Sequence, residues 1–205
     1  MKPLISIIVS ILCSCASIAD VPFDIEVAGA SRGMVAQIVG HEQKVYDAVF
    51  GKTGELHGTL PPGTYTLLVK PGMMANFSDE IVLCLPLTIE AGRPFRLSAE
   101  LPSLILRMRL DGLSESRTQM WAKIVGDAVG VHRPVRWAAL SFTDGVWIAN
   151  TPWFGPGKYR IWFYPSTMAA HKDNPMLQSE FVLPKTDKRS MRISITHRVL
   201  VSSDE

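Results

Sequence analysis

The sequence predicts an all-β protein of two tandem antiparallel β-sandwich domains that follow a signal peptide. Three observations lead to this fold class. Short alternating runs of apolar and polar residues recur, separated by turn signals about every 8–12 residues. No sustained stretch carries the period of an amphipathic helix. A strand–turn–strand pattern at Gly54–Lys70 returns at Gly145–Tyr164.

Residues 1–19 have the organisation of a secretory signal peptide. Lys2 is the positive region, Leu4–Leu12 is the apolar region, and cleavage is expected after Ala19. This pattern predicts export to the periplasm, the cell surface or the medium. An alternative is a bacterial lipoprotein signal with Cys15 as the lipidated residue, in which case the lipid anchor is the protein's contact with the membrane.

The first predicted domain spans residues 20–101. Phe23–Val27 alternates strictly and predicts a half-buried strand, and Met34–Val39 predicts a second one. His41–Phe50 mixes polar and apolar residues and fits either a strand or a short helix.

The central hairpin of this domain turns at Leu60-Pro61-Pro62-Gly63, where two prolines lack the N–H donor of a strand and the glycine permits a turn. Beyond the turn, alternation places Tyr65, Leu67 and Val69 on the core face.

Two further strands complete the first domain. Ile81–Ile89 is extended, and Pro86 predicts an edge or a bulge. Phe95, Leu97 and Ala99 alternate as the last strand, and residues 101–103 form the predicted linker.

The second predicted domain spans residues 104–205 and repeats the first in the same order, which predicts an internal duplication with a period of about 90 residues, longer than solenoid repeats. The repeated positions include Leu106, Met108 and Leu110 for Phe23, Ile25 and Val27; Trp121–Gly126 for Val35–Gly40; Gly157, Tyr159, Ile161 and Phe163 for Gly63, Tyr65, Leu67 and Val69; Leu183–Thr186 for Leu85–Thr88; and Ile193 and Ile195 for Phe95 and Leu97.

A glycine, an alternating run, a Leu-Pro-Pro-Gly turn and a tyrosine that opens the next run together resemble the carboxypeptidase regulatory-like domains, which are prealbumin-like (transthyretin-like) sandwiches. The match covers fewer than about 20 residues in each domain. It implies a structural or binding role rather than catalysis. The residues that carry it are Gly54, Leu56, Gly58, Leu60, Pro61, Pro62, Gly63, Tyr65, Leu67 and Val69, and in the second domain Gly145, Trp147, Gly157, Tyr159, Ile161 and Phe163.

Composition and motifs argue against several functions. The net charge is +2 with Lys and Arg scattered, so nucleic acid is not an expected partner. None of the five histidines has a His or Cys at metal-ligand spacing, and no nucleophile elbow, P-loop or dinucleotide motif occurs. Asp79 and Glu80 are adjacent acids that point apart on a strand. The sequence therefore predicts no enzyme, no metal and no cofactor, and Cys84 is expected to be a buried hydrophobe.

The tryptophans suggest where the protein binds. All five Trp residues lie in the second domain, and alternation directs Trp162 and Tyr164 away from the core, with Trp153 and Phe154 in the turn. Exposed aromatic residues mark interfaces or sugar platforms. We therefore predict a non-catalytic exported accessory or surface protein-interaction module that binds a partner protein through these four residues. The alternative is a carbohydrate-binding module with Trp162, Tyr164 and Trp153 as its aromatic platform.

The last sequence-based prediction concerns how the two domains associate. A short linker and outward apolar residues predict a rigid pair, with Trp162 at or beside the inter-domain contact and packed near Leu68. Trp153 is expected to stay more exposed at the turn.

Overall fold

A computed structural model describes residues 19–41, 44–72, 79–113, 115, 119–127, 130 and 132–196. The predicted signal peptide up to residue 18, with Cys15, lies outside these residues. The described chain forms fourteen strands and one short helix. Their bounds are β1 Val21–Ala28, β2 Val35–Val39, β3 Val45–Val49, β4 Glu55–Leu60, β5 Gly63–Lys70, β6 Leu83–Ile89, β7 Phe95–Glu100, β8 Leu104–Asp111, β9 Met120–Gly126, β10 Val135–Thr143, β11 Val146–Phe154, β12 Gly157–Tyr164, α1 Thr167–His171, β13 Leu177–Leu183 and β14 Ser190–Thr196.

Strands β1–β7 form one sandwich, which we call the first unit. Its two sheets have the strand orders β4-β1-β7 and β3-β2-β5-β6, and β1 and β7 run parallel while the other neighbours are antiparallel. The alternation of β1 buries Phe23, Ile25 and Val27 between the sheets, where Tyr65 and Leu67 of β5 meet them.

Strands β8–β14 form the second unit around a separate core. Its single sheet has the order β13-β12-β9-β10-β11-β8-β14. The hairpin of β10 and β11 joins the two halves of this sheet through the pairs Ser141–Ile148 and Thr143–Val146. Leu106, Met108 and Phe163 are fully buried in this core.

The two units share one strand order. Strands β8 to β14 occupy, in sequence, the places that β1 to β7 occupy, including the parallel pair at one edge. The difference is that β10 pairs with β11 while β3 and β4 belong to separate sheets. Met108 of β8 pairs with Ile193 of β14, just as Ile25 of β1 pairs with Leu97 of β7, so Ile193 corresponds to Leu97. The sequence comparison had matched Ile193 to Phe95, which is displaced by two residues.

A tyrosine locks the same corner in each unit. Tyr65 Oη donates to the carbonyl oxygen of Pro61 at 2.7 Å, and Tyr159 Oη donates to that of Gly155 at 2.9 Å. Each ring lies against a glycine of the neighbouring strand, Gly40 for Tyr65, where an added Cβ would be 3.0 Å from the ring. The hydrogen bond four residues back resembles the tyrosine corner of other β-sandwiches, and it fixes the turn that opens β5 and β12.

The predicted all-β fold class is confirmed. The core faces of β1, β5 and β12 follow the predicted alternation, and His41–Phe50 contains the strand β3 rather than a helix. The helix α1 was not predicted, because five residues are too few to show a helical period. The Ser166 hydroxyl accepts from the backbone N–H of Ala169 at 3.1 Å and caps it. No helix in the described residues has the length and apolarity needed to cross a bilayer.

Candidate functional site

The two units meet through a short backbone bridge. Ile81, between β5 and β6, pairs with Val135 at the start of β10 in an antiparallel bridge. The Ile81 N–H donates to the Val135 carbonyl at 2.9 Å, and the Val135 N–H donates back at 2.8 Å. Because two reciprocal hydrogen bonds fix both position and orientation, this bridge sets how the units dock.

A buried ion pair lies beside the bridge. Arg136 of the second unit contacts Glu80 of the first, and their side chains are only 9% and 11% exposed. Arg136 Nε donates to the Pro152 carbonyl at 3.2 Å, and the guanidinium carbon is 4.1 Å from the ring centre of Trp153. Burial lowers the pKa of Arg136 to about 10, which still leaves the guanidinium charged at neutral pH. The pair therefore places both charges where water is largely excluded.

A groove of about 650 Å³ runs along this junction, and we call it the junction groove. Its walls come from both units. The lining residues are Gln37, Val39, Val45, Leu68, Lys70, Asp79, Ile81, Lys123, Val125, His132, Arg133, Val135, Trp162, Tyr164, Asp173 and Pro175.

One wall of the junction groove carries a charge network. Trp137 Nε1 donates to Asp79 Oδ1 at 3.0 Å, and Lys123 Nζ lies 3.7 Å from Asp79 Oδ2 and 4.0 Å from Asp173 Oδ1. The same ammonium lies 5.3 Å from the ring centre of Trp137. These contacts link β9 and β10 to the first unit and position Lys123 between two carboxylates.

The groove also presents apolar side chains to solvent. Trp162 is half-buried, and its Nε1 donates to Gln178 Oε1 at 3.1 Å. Val45 of β3 is 47% exposed on the facing wall. Val49 projects from the same face of β3 outside the groove and is 62% exposed. An apolar wall with a tethered indole and charged edges suits a polypeptide segment with both apolar and charged side chains.

The structure corrects two of the four predicted platform residues. Phe154 is 3% exposed and packs edge-on against Tyr159 in the core of the second unit. Tyr164 is 0% exposed, because the Trp137 ring lies 5.5 Å away and its hydroxyl donates to Asp173 Oδ1 at 2.6 Å. Burial and that hydrogen bond raise the pKa of Tyr164. Neither ring is available for stacking on a sugar.

The predicted positions of the other two aromatic residues are only partly right. Trp162 lines the groove beside the inter-unit contact and near Leu68, as expected. Trp153, which was expected to be the more exposed ring, is half-buried and packs against the core of the first unit. The register shift of β11 between Thr151 and Phe154 is the cause, because an extra residue breaks alternation and turns Trp153 toward the first unit.

Sequence reasoning missed the residues that build the junction. Glu80 and Asp79 were considered only as a catalytic pair, and as expected they point apart. Each instead reaches the second unit, Glu80 to Arg136 and Asp79 to Trp137. The available sequence signal for an inter-unit contact was the pair of adjacent acids between two predicted strands. The sequence does not show which residue of the second unit each acid contacts.

No group of three or more His, Cys, Asp or Glu side chains in the described ranges could hold a metal ion. His57 Nδ1 lies 3.0 Å from Asp24 Oδ1 on an exposed sheet face. Burial raises the pKa of the Cys84 thiol to about 11, so the thiolate is scarce at neutral pH.

These features define a two-unit all-β protein with a groove at the junction. No family model matches the chain, and no curated protein matches it. Among solved structures, the fimbrial anchor protein of Porphyromonas gingivalis aligns at 9% identity over 91% of this chain and 94% of that one, with a TM-score of 0.38. A proposed adhesin from Bacteroides ovatus aligns at 8% identity over 86% and 87%, with a TM-score of 0.36. A streptococcal ancillary pilin aligns at 12% identity over 90% of this chain and 64% of its own, with a TM-score of 0.32. Similarity at this level does not transfer a function.

Proposed function

We propose that this chain is a non-catalytic, exported surface module that binds a segment of a partner protein in the junction groove. The observation that carries the proposal is that both units contribute to one groove with exposed apolar side chains. Val45 comes from the first unit and Trp162 from the second, so the complete groove exists only when the units are docked.

The locked junction supports this proposal. The reciprocal hydrogen bonds between Ile81 and Val135 and the buried pair of Glu80 and Arg136 hold the two walls in register. A preorganised groove loses less conformational entropy on binding than a pair of loosely tethered domains.

We further propose that the two units are a tandem duplication of one prealbumin-like sandwich, divided at residues 101–103, behind a signal peptide that directs export. The common strand order and the equivalent tyrosines Tyr65 and Tyr159 support the duplication.

A mature chain that begins at Asp20 supports ordinary export, and a diacylated Cys15 supports lipid anchoring. An unprocessed chain retained in the cytoplasm refutes both, and intact-mass measurement distinguishes the three outcomes.

The groove is tested by site-specific photocrosslinking in the cells that produce the protein. A benzophenone side chain at Val45 is expected to capture a discrete protein partner, while the same group at Val49 serves as the matched control. The two positions share a strand, a face and a residue type, but only Val45 lines the groove. Val45→Lys should remove binding of the captured partner, and Val49→Lys should leave it unchanged.

Equal capture at both positions, or a partner that still binds Val45→Lys, would contradict the proposal. A glycan array tests the carbohydrate alternative. Trp162 is the residue to replace, because it lines the groove and is half-buried, whereas Tyr164 is fully buried. Sugar binding that is lost on Trp162→Ala, without a captured protein, would favour that alternative.

A further inference from the structure

The outward face of the sheet β4-β1-β7 is acidic. Its carboxylates lie on three adjacent strands, and we call this surface the acidic face: Asp24, Glu26, Glu55 and Glu100, with His57 and Arg96 among them. Glu26 lies directly opposite Glu55 across β1 and β4. Like charges in directly opposed positions destabilise a sheet, so nothing in the folding of the first unit requires this arrangement.

The equivalent face of the second unit is basic. On the outward side of β11-β8-β14, Arg107, Arg109 and Arg192 surround a shallow depression of about 570 Å³, and we call this surface the basic face. Arg107 lies directly opposite Arg192, so the second unit also has opposed like charges, of the other sign. Asp111 pairs with Arg109 at 2.8 Å, whereas Arg107 and Arg192 form no ion pair within the described chain.

Strand equivalence makes the two faces geometric counterparts. Asp24 and Glu26 of β1 correspond to Arg107 and Arg109 of β8, as the pairing registers of β7 and β14 establish. Both faces are therefore three-stranded surfaces with the same spacing, about 4.8 Å between strands and about 6.6 Å between outward residues along a strand. Their charges are opposite at these two sites, whereas Arg96, opposite Asp24, corresponds to Arg192, opposite Arg107, and this site is basic on both faces.

We propose that the acidic face of one copy of this chain binds the basic face of another copy, which links copies head to tail. Glu55 is half-buried and the other charged side chains that define the two faces are exposed, so each face remains available within a single chain. Because the two contacting surfaces differ, the interaction is heterologous, and it extends into an open chain wherever the rotation does not close a ring. This contact uses neither wall of the junction groove, so the inference goes beyond the proposed function.

A second copy is the proposed occupant because the acidic face has an excess of carboxylates and the basic face an excess of arginines, on sheets with the same strand order. The contact is small, since three strands cover only a few hundred Å², on the order of 300 Å² per face at these spacings. A contact of this size falls below the range of stable protein interfaces, so the association must be weak, and exposed charge pairs are screened by salt. Self-association should therefore be concentration-dependent and strongest at low ionic strength.

Sedimentation velocity of the purified protein tests the contact. At about 20 mM salt the weight-average sedimentation coefficient should rise with concentration, and at about 0.3 M salt the association constant should fall at least tenfold, because the Debye length shortens severalfold. Reversing the basic face with Arg107→Glu and Arg192→Glu should abolish association. Reversing two positions elsewhere, Lys158→Glu and Lys185→Glu, changes the net charge equally and should leave it intact.

Mixing two reversed variants gives the decisive result. Glu26→Lys with Glu100→Lys makes both faces basic, and the arginine reversal makes both faces acidic. Each variant alone should be monomeric, whereas an equimolar mixture should associate again, because each acidic face then meets a basic one. If a reversal lowers the melting temperature, neutral variants at the same positions, Glu to Gln and Arg to Gln, should still weaken association.

Any one of four outcomes would overturn the proposal. The wild-type protein could remain monomeric at low salt and high concentration, or the mixture of reversed variants could fail to associate. Association that survives both reversals but is lost with Val45→Lys would assign self-assembly to the junction groove instead. A monomer that binds polyglutamate through Arg107 and Arg192 would make the basic face a site for an anionic polymer.

Discussion

Replacing Glu80 by Gln tests whether the buried ion pair couples the two units. The substitution keeps the size of the side chain but leaves the Arg136 guanidinium without its carboxylate. Breaking a buried ion pair costs about 3–5 kcal/mol of unfolding free energy, because one charge remains buried and uncompensated. Arg136 keeps its hydrogen bond to the Pro152 carbonyl and its contact with the Trp153 ring. We therefore expect a loss of unfolding free energy at the lower end of this range, about 3 kcal/mol.

Two spectroscopic signals separate the units in a urea titration. All five tryptophans belong to the second unit, so fluorescence reports that unit and, through Trp153, its contact with the core of the first. Far-UV circular dichroism reports strands of both units. The wild-type signals should coincide, and those of Glu80→Gln should separate as the units uncouple. Glu90→Gln is the matched control, because Glu90 pairs with Arg93 at 3.5 Å on the surface and should cost less than about 1 kcal/mol.

A cost for Glu80→Gln no larger than that of the control, with coincident signals, would refute the coupling role. The double variant Glu80→Leu with Arg136→Met separates lost charge balance from lost packing. Apolar replacement of both partners of a buried ion pair is often neutral or stabilising. If the double variant is as unstable as Glu80→Gln, the uncompensated charge is not the cause.

Three further predictions follow from named contacts. Tyr65→Phe and Tyr159→Phe should each lower the unfolding free energy by about 1 kcal/mol, because each removes one hydrogen bond. Urea unfolding measures both values, and a loss for only one of the two variants would contradict the equivalence of the two tyrosines. Trp153→Ala should lower the unfolding free energy by about 2 kcal/mol or more in the same assay, and Trp162→Ala should lower it clearly less. The reason is that, of these two residues, Trp153 packs against the core of the first unit. A larger loss for Trp162→Ala would refute the docking role of Trp153. Cys84 should contribute a fall in stability as pH rises from about 9 to 11, because its thiol ionises near 9.0 when unfolded but near 11 when folded, so the folded state holds the proton more tightly. Arg136, whose pKa is lowered to about 10 by burial, contributes in the opposite direction above pH 10. The comparison of wild type with Cys84→Ala isolates the cysteine in a chemical-denaturation pH profile, and identical profiles for the two proteins would exclude this cause.

The sequence alone predicted the alternating strands but neither the helix α1 nor the bulge in β11. Alternation in Phe23–Val27 and after Gly63 predicted strands and their buried faces correctly, because the side-chain period of a strand is a property of its backbone. The recurring glycine and tyrosine at Gly157 and Tyr159 likewise marked the corner that the structure places in both units.

The candidate site depended on tertiary structure. Trp153 and Phe154 were both expected in an exposed turn, but a bulge in β11 turns Trp153 toward the first unit and Phe154 into the core of the second. An inserted residue of this kind leaves no mark on the hydrophobic pattern. Tyr164 faces outward as predicted, yet the Trp137 ring and Asp173 cover it. Alternation determines which side of a sheet a residue occupies, but exposure depends on what another element places over that side.

The pairing of Glu80 with Arg136 illustrates the same distinction between residues that are far apart in sequence. Each residue could be recognised as charged, but their contact requires both sandwiches to be folded and the Ile81–Val135 bridge to be formed. The opposed charges of the acidic and basic faces also become visible only when strand pairing places β1 beside β7 and β8 beside β14. The sequence by itself determined the strands and their buried faces through the period of the backbone, whereas the junction groove and the charged faces were decided by long-range pairing, which brings together residues that no local pattern connects.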